Sequence, residues 1–183
     1  MKSILFIRHA EGKANAEGIM MGSSKAVDRG LSDKGRRMAS NKARELKQKG
    51  FNPTIVFCSE MPRTQQTVKT IVDTLGINPK IIILPELNER SFGIYEGKPY
   101  QEAIDAFSRE GDSPKTMETV SDFITRILKG FEAIKDSSEA NTLVVTHSNP
   151  LAVIRSYLYY PADLNKYWQH ESDNYVSGFE IKL

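Results

Sequence analysis

Four short apolar runs, at residues 4–7, 54–57, 81–84 and 142–146, are spaced along the chain with helical stretches between them. Runs of this length are too short for helices, and their β-branched and aromatic residues suit a pleated strand. Ile4-Leu5-Phe6-Ile7 and the run ending Ile55-Val56-Phe57 read as strands buried on both faces. Ser32 caps a helix over 33–49, with Met38, Ala39, Ala43 and Leu46 on one face and Gly50 as its stop. Pro62 opens a helix that runs to Leu75 and closes at Gly76. Residues 100–109 form a helix with Ala103, Ile104 and Phe107 inward, and 111–115 form a turn. Val120, Phe123, Ile124, Ile127, Leu128, Phe131 and Ile134 follow the i, i+3, i+4 pattern of a core-packing helix. Asn149 caps a further helix with Pro150 at its first position, and residues 175–183 end the chain as an edge strand. Strands alternating with helices specify the α/β class with a mainly parallel sheet.

At 183 residues the chain suits one domain with a full core, residues 1–183. A net charge of +2 gives no reason to expect nucleic acid or a membrane surface as partner. Cys58 is the sole cysteine and ends an apolar run, so it reads as a buried, inert thiol with no disulfide or cysteine-based zinc site. The first apolar run is far shorter than the core of a secretory leader, and no stretch reaches membrane-spanning length. A reducing, cytoplasmic compartment is the expectation.

In open α/β sheets, ligands collect beyond the carboxyl ends of the strands. There this chain carries Arg8, His9, Glu11 and Asn15 after the first run, and Ser59, Arg63 and Thr64 after the second. Glu89, Arg90 and Glu96 follow the third, and His147, Ser148 and Asn149 the fourth. Residues 12–30 and 86–99 read as long loops over this rim. Two helix amino termini at one rim favour an oxyanion, and two arginines supply planar forks for phosphate oxygens. Two histidines and a nearby carboxyl complete the requirements of acid–base or nucleophilic chemistry.

These residues also carry a family resemblance. Arg8-His9-Ala10-Glu11 with Asn15 resembles the Arg-His-Gly-Glu signature of the histidine phosphatase superfamily, also called phosphoglycerate mutase-like. Leu31-Ser32-Asp33-Lys34-Gly35 is similar to its Leu-Thr-x-x-Gly helix start, and residues 59–67 to its Ser-x-x-x-Arg-x-x-Gln-Thr. Residues 87–97 resemble its acid-donor loop, and Val145-Thr146-His147 its second histidine. The five motifs occur in the family's order over nearly the whole chain. The resemblance implies a three-layer α/β/α sandwich with an antiparallel edge strand, and a phosphatase for small phosphorylated substrates that needs no metal or cofactor. It assigns His9 as the nucleophile that becomes phosphohistidine and Glu89 as proton donor. Arg8, Arg63 and His147 would hold the phosphoryl oxygens, with Asn15 as a neutral donor; the hydroxyl of Ser148, where the family usually has glycine, is a further candidate phosphate donor.

Several alternatives stay open at this level. Glu86 or Glu96 rivals Glu89 as the acid, and Ser59 is either a phosphate donor or a turn former. Glu11 reads as orienting a histidine or arginine, and His170 as peripheral. Met20, Met21, Lys25, Phe92, Tyr95 and Lys98 are candidates for the substrate mouth. Ala10 and Ser148 stand where the family usually has glycine. They strain the turn if those positions need positive φ, and are harmless if the backbone is extended. A phosphoglycerate-type mutase, a non-catalytic phospho-ligand binder, and a metallohydrolase on His9, Glu11 and His147 are the competing functions. Oligomeric state and the individual substrate are not specified.

Overall fold

The four apolar runs become parallel strands β1 (Ser3–Arg8), β2 (Ile55–Cys58), β3 (Lys80–Ile83) and β4 (Asn141–Thr146). Strand β5 (Gly178–Lys182) adds antiparallel to β1, giving the order β3-β2-β4-β1-β5. The helices are α1 (Lys13–Ala16), α2 (Asp33–Gln48), α3 (Pro62–Leu75), α4 (Tyr100–Glu110), α5 (Val120–Ser137) and α6 (Ser148–Tyr159). This computed structural model describes residues 2–111, 116–137, 141–169 and 173–183. The turn expected at 111–115 falls outside them apart from Gly111, as does His170.

Side-chain alternation along the strands makes the layers. Ile4, Phe6, Ile55, Phe57 and Val144 pack with α5 and α6, whereas Ile7, Val56, Cys58, Leu143 and Val145 pack with α2 and α3. The result is a three-layer α/β/α sandwich whose central strands are buried on both faces. Strands β3 and β5 are the sheet edges, and in β3 Ile81 and Ile83 are about half exposed. Helix α4 joins Met20, Phe92 and Met117 in a smaller cluster. No helix among the described residues is long and apolar enough to cross a membrane.

Local chemistry set most boundaries where expected. Ser32 Oγ accepts from the Gly35 N–H at 2.9 Å, and Gly76 closes α3 in the left-handed region. Three readings need correction. The stretch after β1 is not all loop, since α1 and the isolated bridges Gly12–Leu31 and Ile19–Pro99 lie in it. Ile104 is not an inner residue of α4; Ala103 and Ala106 are, and Ile104 stays 37% exposed. The α6 cap is His147 rather than Asn149, so Asn149 lies inside the first turn.

Candidate active site

β1 and β4 are adjacent and in register at Arg8 and Thr146, so the residue after each strand emerges beside the other. Those residues are His9 and His147. The His9 N–H donates to the Thr146 carbonyl at 2.8 Å, and the two rings lie edge to face with centroids 5.0 Å apart. Both are buried.

Arg63, in the first turn of α3, reaches the same place. Its Nε–H donates to His9 Nε2 at 3.1 Å, its Nη1 to Asp28 Oδ2 at 2.8 Å and its Nη2 to the Gly22 carbonyl at 3.1 Å. Arg63 and Asp28 are fully buried, and Asp28 also accepts from the Arg63 backbone N–H. Burial works against the guanidinium charge, and Asp28 beside it opposes that effect.

The contacts of His9 determine its tautomer. Nδ1 lies 2.7 Å from the Ala10 carbonyl, which can only accept, so the neutral ring carries its proton on Nδ1. Nε2 therefore keeps its lone pair, consistent with the donor it faces on Arg63. Burial first, then Arg63 and Arg8, hold the His9 pKa well below 6.5. The same causes, burial foremost and then Arg63, lower His147. Ser59 Oγ stands 2.8 Å from His147 Nε2 and 2.7 Å from Thr64 Oγ1, so the serine braces the second histidine. His147 Nδ1 and Arg8 Nε are buried and have no hydrogen-bond partner among the described residues.

Glu89 is buried, and burial raises its pKa above the usual carboxyl value. The Arg90 N–H at 2.9 Å, Arg63, the Asn149 side chain and Arg8 counter that rise. Its rivals are occupied. Glu86 pairs with Lys129 at 3.1 Å, and Glu96 accepts from the N–H groups of Ser23, Ser24 and Phe92, tying the two rim loops together. Arg126 of α5 clamps the Glu89 loop by donating to the carbonyls of Glu86, Asn88 and Glu89 and to the Glu118 carboxylate.

Arg8 lies over the Tyr175 ring, with its guanidinium carbon 4.3 Å from the centroid, and donates to the Asp173 carbonyl at 3.0 Å. Val176, next to Tyr175, is the one non-glycine among the described residues with positive φ, at 53°. Its N–H holds the Arg8 carbonyl at 3.0 Å, so the strained residue fixes the turn that carries Tyr175.

Glu11 orients neither histidine nor arginine: its carboxylate accepts from Ser32 Oγ and Lys34 Nζ and so braces the start of α2. Asn15 Oδ1 accepts from the Gly12 N–H in the cap of α1, and half-buried Ser148 begins α6. Met20 and Phe92 line a cavity beside the cluster, whereas Lys25 pairs with Glu60 and Lys98 lies over Tyr95. Among the described residues no three His, Cys, Asp or Glu side chains gather as metal ligands.

The family model of the histidine phosphatase superfamily, branch 1, matches residues 4–178. The chain belongs to the histidine phosphatase superfamily. Enzymes of this family act on phosphomonoesters, typically through a phosphohistidine. A Hydrogenobacter thermophilus protein that bears a phosphoserine phosphatase name is 31% identical over 163 residues, 84% of this chain and 77% of that one. A 2,3-bisphosphoglycerate-dependent phosphoglycerate mutase of Beijerinckia indica is 29% identical, over 82% of this chain and 78% of that one. The solved structure of Bacillus stearothermophilus YhfR is 25% identical, with a TM-score of 0.79 over 97% of this chain and 88% of that one.

The family motifs have mechanical reasons here. A Cβ on Gly35 would run into the Glu11 carbonyl, so the glycine lets α2 press against the end of β1. Thr67 Oγ1 receives the Ala10 N–H at 3.0 Å, and Gln66 Oε1 the Leu31 N–H at 2.9 Å. Neither Ala10 nor Ser148 takes positive φ, so their departure from the family glycine strains no turn; Ser148 is helical rather than extended. Nothing in the residue pattern marked Asp28 or Tyr175 as neighbours of this histidine cluster. Asn149 carried a signal, a polar residue beside His147 at a helix start, but reading it as a cap hid its bond to Glu89.

Proposed function

We propose that this protein hydrolyses small phosphomonoesters in two displacements, acting as one histidine-phosphatase domain. The observation that carries the reading is the neutral His9 ring, whose Nε2 lone pair faces the Arg63 guanidinium. His9 Nε2 attacks phosphorus in line with the leaving oxygen and forms a phosphohistidine. Arg63 turns its Nε–H from His9 to a phosphoryl oxygen. Arg8 Nε and His147 Nδ1, both buried and without a partner among the described residues, take others. Asn15 and Ser148 are outer donors to the same group. Glu89, whose pKa burial raises, protonates the leaving oxygen from its acid form and then accepts a proton from the water that attacks phosphohistidine. The cationic side chains neutralise the transferring group, so no step is assigned to a metal or cofactor.

Hydrolysis is preferred to mutase chemistry because a phosphoglycerate carboxylate needs its own cationic clamp. Arg90, the cation beyond Glu89, already donates from Nε to the Glu118 carbonyl at 2.9 Å. The unpaired, buried Cys58, whose pKa burial pushes up to about 11, suits a reducing compartment, and we place the protein in the cytoplasm on that ground. Phosphate release from a panel of phosphomonoesters tests the reading, with His9→Ala and Glu89→Gln beside the wild type. Activity in the wild type and none in His9→Ala is expected. Equal release by both, or isomerisation of 3- to 2-phosphoglycerate without net release, overturns it.

A further inference from the structure

A cavity of about 280 Å³ opens beside the acid, between α4, the 3₁₀ segment Pro161–Gln169 and the Phe92 turn. Its walls are largely aromatic: Phe92, Tyr100, Phe107, Tyr167 and Trp168, with Met20 below. Three large apolar side chains at this mouth are unusually open to water, Tyr100 at 55%, Trp168 at 39% and Ile104 at 37% exposure. Single exposed apolar residues are ordinary, but a cluster lining a concavity is a recognition feature.

The cavity is joined to the chemistry through Asn149. That side chain donates to the Glu89 carboxylate and also lines the cavity. The proton donor must reach the leaving oxygen, so the body of the leaving group lies on the Glu89 side of the phosphoryl group. The cavity lined by Asn149, which bonds Glu89, and by Arg90, the next residue in the chain, is the space adjoining that side. Resting on the phosphatase reading above, we infer that the preferred substrate is a phosphomonoester of an alcohol bearing an apolar ring, with the ring seated between Trp168 and the Phe92–Phe107 pair.

The polar inventory agrees. Among the described residues of the lining Arg90 carries the charge; its Nε–H donates to the Glu118 carbonyl, and its guanidinium carbon lies 5.9 Å from the Phe107 ring centroid. It therefore offers a flat face for stacking, with an edge N–H already given to the Glu118 carbonyl. Phe92 and Phe107 meet edge to face with centroids 6.2 Å apart, and Tyr167 and Trp168 do so at 5.2 Å, which makes two rigid walls. The volume is nearly twice the roughly 150 Å³ that admits one benzene ring. A compact polyol or amino acid phosphate would leave these walls in contact with water.

The test compares leaving groups of matched basicity, so that ring recognition is separated from bond-breaking chemistry. 2-Phenylethyl phosphate and propyl phosphate both leave as alkyl alcohols. The wild type is expected to favour the phenylethyl ester in kcat/KM by about tenfold or more, and Trp168→Ala and Phe107→Ala to shrink that ratio several-fold. A wild-type ratio near one overturns the inference and leaves the phosphatase reading intact. Failure to cleave either ester above the His9→Ala background overturns the phosphatase reading instead. Calorimetry with 3-phenylpropylphosphonate and ethylphosphonate then examines the cavity without turnover. Preferential binding of the phenyl compound, lost in Trp168→Ala, supports the ring site, and equal or absent binding of the two overturns it.

Discussion

Arg63 holds His9 with one nitrogen and Asp28 with another: Nε is 3.1 Å from His9 Nε2 and Nη1 is 2.8 Å from Asp28 Oδ2. The carboxylate sets the direction in which the guanidinium meets the histidine. Because the pair is fully buried, removing one charge strands the other in a poorly solvating interior. Asp28→Ala should therefore lower stability by about 3–5 kcal/mol in urea unfolding. Asp28→Asn keeps the shape and loses the charge, so it should fold better yet still lose phosphate affinity. Unchanged stability in Asp28→Ala would show that the pair contributes nothing.

Glu89 leads to a prediction about pH. Its pKa is raised by burial, and the protonated form is the donor, so turnover of alkyl phosphates is present below that pKa and falls as pH rises through it. Glu89→Gln should remove this descending limb and cost about 10²–10⁴-fold in rate for alkyl esters, and far less for nitrophenyl esters that need no proton. Rate profiles for the two ester types measure it. Equal losses on both would remove Glu89 from the proton-donor role.

The two histidines also tie stability to pH. Both are neutral when folded, with pKa values held well below 6.5. Above about pH 6.5 neither state binds the proton and no stability is lost. As pH falls below that value the unfolded chain takes up protons that the folded one refuses, so stability drops by about 1.4 kcal/mol per pH unit for each histidine. The drop continues down to the folded pKa. Urea unfolding at about pH 7 and about pH 5 should show a shallower loss in His9→Asn than in wild type. Parallel losses would contradict the burial argument.

Much of this was legible in the sequence, and the remainder has an identifiable cause. The capping serine of α2, the Pro62 start and Gly76 stop of α3, and the apolar period of α5 are local signals, and each appears as read. The convergence of His9, Arg63 and His147 followed from strand ends on one rim. Asp28 was not legible, because nothing in residues 12–30 says which acidic side chain folds under α3. Ile104 was misread because a helical period cannot tell a core face from the wall of a cavity. Glu11 was misread because its partners, Ser32 and Lys34, are fixed only when Gly35 brings α2 against the strand end.

Ser59 offers a separate check on His147. Its hydroxyl is 2.8 Å from Nε2, and Ser59→Ala leaves that buried nitrogen without its partner. The variant should be less stable by about 1–3 kcal/mol. Its inhibition constant for orthovanadate, a stand-in for pentacoordinate phosphorus, should rise about tenfold, equivalent to roughly 1.4 kcal/mol. If vanadate inhibition is unchanged, the serine only shapes the turn.

In the proposed mechanism His9 Nε2 carries the phosphoryl group between two displacements. Rapid mixing with substrate, quenching in base to preserve an acid-labile phosphoramidate, and peptide mapping by mass spectrometry test it directly. One phosphoryl group is expected on the peptide containing His9, linked through Nε2 by phosphorus NMR, and none in His9→Ala. A label on any other residue, or turnover with no trapped label at all, would contradict it.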